Sequence, residues 1–159
     1  MRKRKMAERI ATKEQLNQHI LAIKGTDEAQ RIMLGILYMA EGTKRASGNV
    51  TFGNSDPEII ALFLRLLRNT FDIDESKFRC TLQARADQDI AGLERFWSEV
   101  TQIPADKFYK ARIDPRSLGK ETRKKVYKGV CRIDYLSSEL LCELMVIGSM
   151  LKRARSSSG

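Results

Sequence analysis

Glu41 is the carboxylate best placed for chemistry, because it closes the nearly all-apolar run Leu34-Gly35-Ile36-Leu37-Tyr38-Met39-Ala40, with Gly42 following as the expected helix stop. A helix that is apolar on every face cannot lie on a surface, so it needs cover from the chain's own core and from a partner helix. Gly35 agrees with such a contact, since a mid-helix glycine costs about 1 kcal/mol against alanine and is kept where another backbone comes close. Two such helices crossing would bring two Glu41 carboxylates together. Paired carboxylates with no histidine or cysteine beside them suit a hard, oxygen-preferring cation such as magnesium. His19 is the only histidine, which excludes zinc-histidine sites and histidine-based triads within one chain. Cys80, Cys131 and Cys142 are odd in number, widely spaced and set in apolar patterns, so they read as reduced core thiols. If this chain does catalysis, carboxylates, lysines and metal must do it.

The charge balance points to the partner. Lys and Arg total 29 against 20 Asp and Glu, a net charge of +9, and the pI is near 9.7. That is the footprint of a polyanion binder. The 159 residues, 42% of them apolar, suffice for one domain with a substantial core. No apolar run reaches the roughly 20 residues of a membrane span, and no apolar region follows Met1-Arg2-Lys3-Arg4-Lys5. These features predict a soluble, intracellular, cytoplasmic protein with no membrane partner.

The elements that must hold these residues follow in order. Residues 1–11 are basic and aperiodic and predict a frayed arm. Thr12-Lys13-Glu14-Gln15 has the form of a capping box for a short helix with Leu16, Ile20 and Ile23 on one face, ending at Gly25. Residues 1–25 are thus an arm and a short helix, residues 26–153 the main domain, and residues 154–159 a disordered tail. Thr26-Asp27-Glu28 starts the helix that ends at Glu41, and the turn after it carries Lys44 and Arg45. Val50 and Phe52 point inward from a strand, and Ser55-Asp56-Pro57-Glu58 then caps a helix with a broad apolar face. Residues 77–85 predict the clearest strand: Phe78, Cys80, Leu82 and Ala84 face one way, and Lys77, Arg79, Thr81, Gln83 and Arg85 the other. That polar face holds three cations and no acid, which favours a nucleic-acid surface over a merely solvated one. A helix from about Asp89 to Val100 carries Trp97 as a core anchor. A strand over 107–113 exposes Lys110 and Arg112 opposite Tyr109, Ala111 and Ile113. A strand over 126–136 places Lys128, Arg132 and Asp134 on its polar face, and Ser137 or Ser138 caps a last helix.

Two of these stretches resemble the LAGLIDADG homing-endonuclease family. Leu34 takes the first motif position, Ala40 the seventh, Glu41 the acidic eighth and Gly42 the ninth, while Asn54-Ser55-Asp56-Pro57 after a strand is similar to the family's strand, Asn-x-Asp turn and helix. Ile36 stands where the family has a small residue, and Met39 replaces the usual acidic sixth position. The helix inserted between strands 77–85 and 107–113 departs from the minimal family order. The resemblance spans residues 31–150 and implies an α+β fold: an antiparallel β-sheet saddle, helices packed on one face, and the motif helix at a two-fold interface through Leu34, Gly35, Leu37, Tyr38 and Ala40.

It further implies a homodimer that cleaves double-stranded DNA at a pseudo-palindromic site, with Glu41 holding Mg2+ or Mn2+. Lys44, Arg45, Lys77, Arg79, Arg85, Lys110, Arg112 and Arg132 would contact phosphates and guanines, with Thr81 and Gln83 reading base edges. Lys128, with Lys110 behind it, would stand near the attacking water. The alternative on the same fold is a binding module without cleavage, a DNA-binding regulator or an RNA-splicing accessory, with RNA as the possible partner. A basic scaffold protein is the third class.

Overall fold

The computed structural model describes residues 2–43, 48–124 and 126–153, so Lys44, Arg45 and the tail from 154 lie outside the described residues. The chain begins with α1 (Arg2–Leu16), α2 (His19–Ile23) and α3 (Asp27–Glu41). The first of these corrects an expectation, because residues 2–11 belong to a continuous helix. Thr12 sits inside that helix, its hydroxyl donating to the Glu8 carbonyl at 2.9 Å, and caps nothing. Alternating opposite charges such as Arg4 and Glu8, paired at 3.3 Å one turn apart, support helix where apolar periodicity is weak. Residues 3–16 are all exposed, and α2 buries nothing.

The main domain continues with β1 (Val50–Asn54), α4 (Pro57–Thr70), β2 (Phe78–Ala84), α5 (Ile90–Thr101), β3 (Phe108–Ile113), β4 (Val130–Tyr135) and α6 (Ser138–Arg153). Thr26 caps α3 as expected, the box over 55–58 caps α4 through Asp56 instead of Ser55, and of the two candidate serines Ser137 caps α6. Thr26 Oγ1 accepts from Ala29 N–H at 3.2 Å, Asp56 Oδ1 from Glu58 N–H at 2.9 Å, and Ser137 Oγ from Leu140 N–H at 3.2 Å.

The fold is α+β with one four-stranded mixed sheet in the order β1-β4-β2-β3. β4 pairs antiparallel with β1 and β2, but β2 and β3 run parallel, where an antiparallel sheet was expected. The cause is α5. A helical crossover returns the chain to the same end of the sheet, so the next strand runs parallel to the last. One face of the sheet carries Phe52, Phe78, Cys80, Leu82, Cys131, Ile133 and Tyr135 into the core with Leu34, Tyr38, Phe63, Trp97 and Leu144 from the helices. Phe52 and Phe63 stack at 4.0 Å between ring centres, with Tyr38 at 6.4 Å from Phe63, which fastens α3 and α4 to β1. Burying each such ring stabilises by about 1.5–3 kcal/mol. Trp97 is fully buried and its Nε1 donates to the Lys128 carbonyl at 2.7 Å, so it is the expected anchor.

Candidate nucleic-acid interface

The other sheet face is built by register. Thr51, Asp134 and Arg79 form one row across β1, β4 and β2, and Gly53, Arg132, Thr81 and Tyr109 form the next across all four strands. Asp134 is 5% exposed and organises the first row: its Oδ1 accepts from Thr51 Oγ1 at 2.6 Å and from Arg132 Nη2 at 2.8 Å and Nε at 3.2 Å. A guanidinium held along one edge by a carboxylate keeps its outer edge for a ligand. Arg132 stands between Gly53, which has no side chain, and the small Thr81, so its neighbours in the row do not screen it.

The two remaining arginines of β2 and its end are engaged within the chain. Arg79 Nη1 donates to the Ser76 and Phe78 carbonyls at 2.7 and 2.6 Å. Arg85 Nε donates to Thr122 Oγ1 at 2.8 Å, with Asp87 at 3.8 Å. Gln83 is exposed and in register with Arg112, while Thr81 is 8% exposed. Lys77 is exposed in the short 3-10 turn Glu75–Lys77 just before β2.

On β3 the expected facing is revised. A register shift between Thr81 and Gln83 sets Tyr109 opposite Thr81 and Arg112 opposite Gln83, so Tyr109 lies on the polar face, 52% exposed, instead of inward. Lys110 is exposed within the irregularity, out of register with β2. Lys128 is also not where alternation from 126 would place it. β4 begins only at Val130, and Gly129 turns the chain at φ +71°, where a Cβ would meet the Gln83 carbonyl at 2.6 Å. Lys128 Nζ instead stands 5.3 Å from the Phe96 ring of α5, on the helical side.

Glu41 is exposed at the last residue of α3 and makes no hydrogen bond or ion pair with the other described residues. Gly42 bridges to Phe52, and Thr43 N–H donates to the Thr51 carbonyl at 2.9 Å, which ties the end of α3 to the strand residue that touches Asp134. Gly42 is needed for space, since its φ is −72° and a Cβ would meet the Tyr38 ring at 2.5 Å. Burial pushes the Tyr38 phenol above its ordinary value, and its hydroxyl donates to the Thr43 carbonyl at 3.0 Å.

The apolar residues expected at a two-fold interface divide. Leu34, Gly35 and Tyr38 are buried inside the chain, and a Cβ on Gly35 would meet Ile147 of α6 at 2.5 Å, so the close helix partner of Gly35 is α6. Leu37 is half-buried against the core. The outward stripe of α3 is Ile32, Ile36 and Ala40, with Met145, Val146 and Met150 of α6 also exposed. Cys80 and Cys131 are buried core thiols, and the hydrogen bond with Cys80, together with burial, pushes the Cys131 pKa up; Cys142, expected in the core, is exposed on α6.

A loop over residues 114–124 folds back on the turn after β2. Asp87 accepts from the Thr122 amide at 2.6 Å and hydroxyl at 2.7 Å, and these bonds hold its carboxyl below the usual aspartate range. Asp114 is lowered likewise by the Arg116 side chain and amide. No local pattern announces a contact between residues 35 positions apart, so Asp87 and Thr122 escape sequence reasoning. Compared with protein-family models, with curated proteins and with solved structures, the chain matches none.

Proposed function

We propose that this chain is a LAGLIDADG-type, site-specific endonuclease that acts on double-stranded DNA as a homodimer, with the polar sheet face against the duplex. One observation carries the reading: the α3 end, whose Glu41 makes no hydrogen bond or ion pair with the other described residues, is tied through Thr43 and Thr51 to the Asp134-Arg132 pair at the middle of that face. A carboxylate beside a basic sheet suits metal-assisted phosphodiester chemistry. Among the described residues no three acidic, thiol or imidazole groups converge, and Glu41 is the carboxylate this reading assigns to the cation. Its oxygens fit Mg2+ or Mn2+, and a second copy's Glu41 with phosphate oxygens would complete the shell. When bound, such a cation lowers the pKa of a water and stabilises the leaving oxygen. Arg132 and Arg112 would hold the phosphodiester or guanine edges, and Gln83 a base edge. With Lys128 drawn to Phe96, Lys110 is the remaining lysine of the pair assigned to the attacking water. The two chains would meet through Ile32, Ile36 and Ala40, since Leu34, Gly35 and Tyr38 are used internally.

The test begins with selection of a high-affinity duplex from random sequence. Wild-type protein should cut or nick that site with magnesium or manganese, and Glu41→Gln should bind equally well and not cut. If Glu41→Gln loses binding, the residue is structural. Wild-type binding without any nicking would replace the nuclease with a DNA-binding regulator, and preference for structured RNA over every duplex would favour a splicing accessory.

A further inference from the structure

The loop over residues 114–124 encloses, with the end of β2 and the start of β4, a cleft of about 880 Å³. Its lining residues include five cations and two acids. The two groups of charges differ in their state. Arg85 is held by Thr122 and the Lys120 and Glu121 carbonyls, and Arg116 is held by Asp114 at 3.0 Å. Lys120, Arg123 and Lys124 are exposed and make no side-chain bond with the other described residues.

The wall carrying those three cations is pre-organised. Thr122 Oγ1 accepts from Arg85 and donates to Asp87, the Ala86 amide donates to Ser117 Oγ at 2.9 Å, and Gln88 Nε2 donates to the Tyr127 carbonyl at 2.7 Å. Asp114 N–H also donates to the Ala84 carbonyl at 2.9 Å. A surface loop fastened at so many points loses little further entropy when it binds. The cleft is continuous with the polar sheet face, because Gln83 lines it and is in register with Arg112. Tyr127 and Val130 add apolar lining beside the cations. A polyanion with flat, partly apolar units matches this combination: phosphates against Lys120, Arg123 and Lys124, and a sugar or base against Tyr127.

We infer that the cleft is a phosphodiester clamp, which takes the backbone of one nucleic-acid strand as it leaves the sheet and so extends the bound site beyond the footprint of the four strands. This inference rests on the nucleic-acid reading of the sheet and adds to it a site that the sheet does not contain.

The test uses the full chain, the selected duplex and titrations of affinity against salt. The Lys120→Ala/Arg123→Ala/Lys124→Ala variant should keep the wild-type melting curve and bind more weakly. Its slope of log affinity on log salt should flatten by about 0.9 for each phosphate no longer neutralised, two to three units for the three residues. Hydroxyl-radical footprinting should show wild-type protection at the two flanks of the site, one for each protomer, that the variant lacks. Glu121→Lys, which adds a cation to the cleft, should tighten binding and steepen the slope. Unchanged slope and flank protection in the triple variant, with normal wild-type binding, would overturn the clamp and leave the sheet reading standing. Wild-type failure to bind any duplex or RNA would overturn both. Tight binding of a mononucleotide or inorganic phosphate that does not compete with the duplex would overturn the clamp in favour of a small-molecule site.

Discussion

Asp134 does more at the sheet face than any single cation, because it is nearly buried and satisfies two partners at once. Asp134→Ala strips the Thr51 hydroxyl of its acceptor and frees the Arg132 guanidinium to swing away. Arg132 is 45% exposed, so water can solvate it and the loss falls short of a fully buried ion pair. The expected cost is about 1–3 kcal/mol in urea denaturation. The same variant should weaken duplex binding as much as Arg132→Ala does, and the double variant should be no worse, since both changes remove one positioned guanidinium. Additive losses in a double-mutant cycle would show that Arg132 acts without its carboxylate. Arg79 and Arg85 contrast with it. Their guanidinium donors are directed at the chain's own carbonyls and hydroxyls, so alanine at either should cost local structure together with any loss of affinity.

At the scale of elements, α3 is held between α4 and α6 and meets α6 where Gly35 admits Ile147. Gly35→Leu should therefore lower the chain's own stability by about 1–3 kcal/mol through overpacking. A calorimetric or urea midpoint equal to wild type would place the close approach elsewhere. The loop over 114–124 depends on acids. Asp87 and Asp114 have lowered pKa values, so their contribution to holding the loop is fully present above the ordinary aspartate value of about 3.9 and is lost as pH falls through their lower folded values. The Thr122 amide resonance should accordingly titrate with a midpoint below about 3.9, and Asp87→Asn should remove that titration. A midpoint at or above the ordinary value would mean that the Thr122 bonds are not made in solution.

For the whole molecule, the exposed apolar side chains among the described residues include Ile32 and Ile36 of α3 with Met145, Val146 and Met150 of α6, and Met6, Ile10, Leu16 and Ile20 along α1 and α2. The first group includes two residues of the helix that ends in Glu41, and in the proposed dimer it is the surface a second copy would cover. Ile36→Glu should leave the melting curve of dilute protein unchanged and yield monomers by light scattering at micromolar concentration. Wild-type protein that stays monomeric with its duplex bound would end the dimer model. Among the described residues no helix is long and apolar enough to cross a membrane.

The sequence by itself determined what depends on near neighbours. Alternation along Phe78 to Ala84 marked which side chains enter the core, Thr26, the run Ser55 to Glu58 and the pair Ser137-Ser138 marked helix starts, and the helical spacing of Trp97 marked it as an anchor. Burial with period two or 3.6 and a cap within three residues are local effects, written in the order of the residues. The tertiary structure decided every choice of distant partner. It made β3 parallel to β2, shifted their register so that Tyr109 joins the polar face, turned Lys128 to Phe96, gave Gly35 to α6, and fastened Thr122 to Asp87. Each of these is settled by which surfaces compete for the same contact once the core has formed, and that competition has no period along the chain.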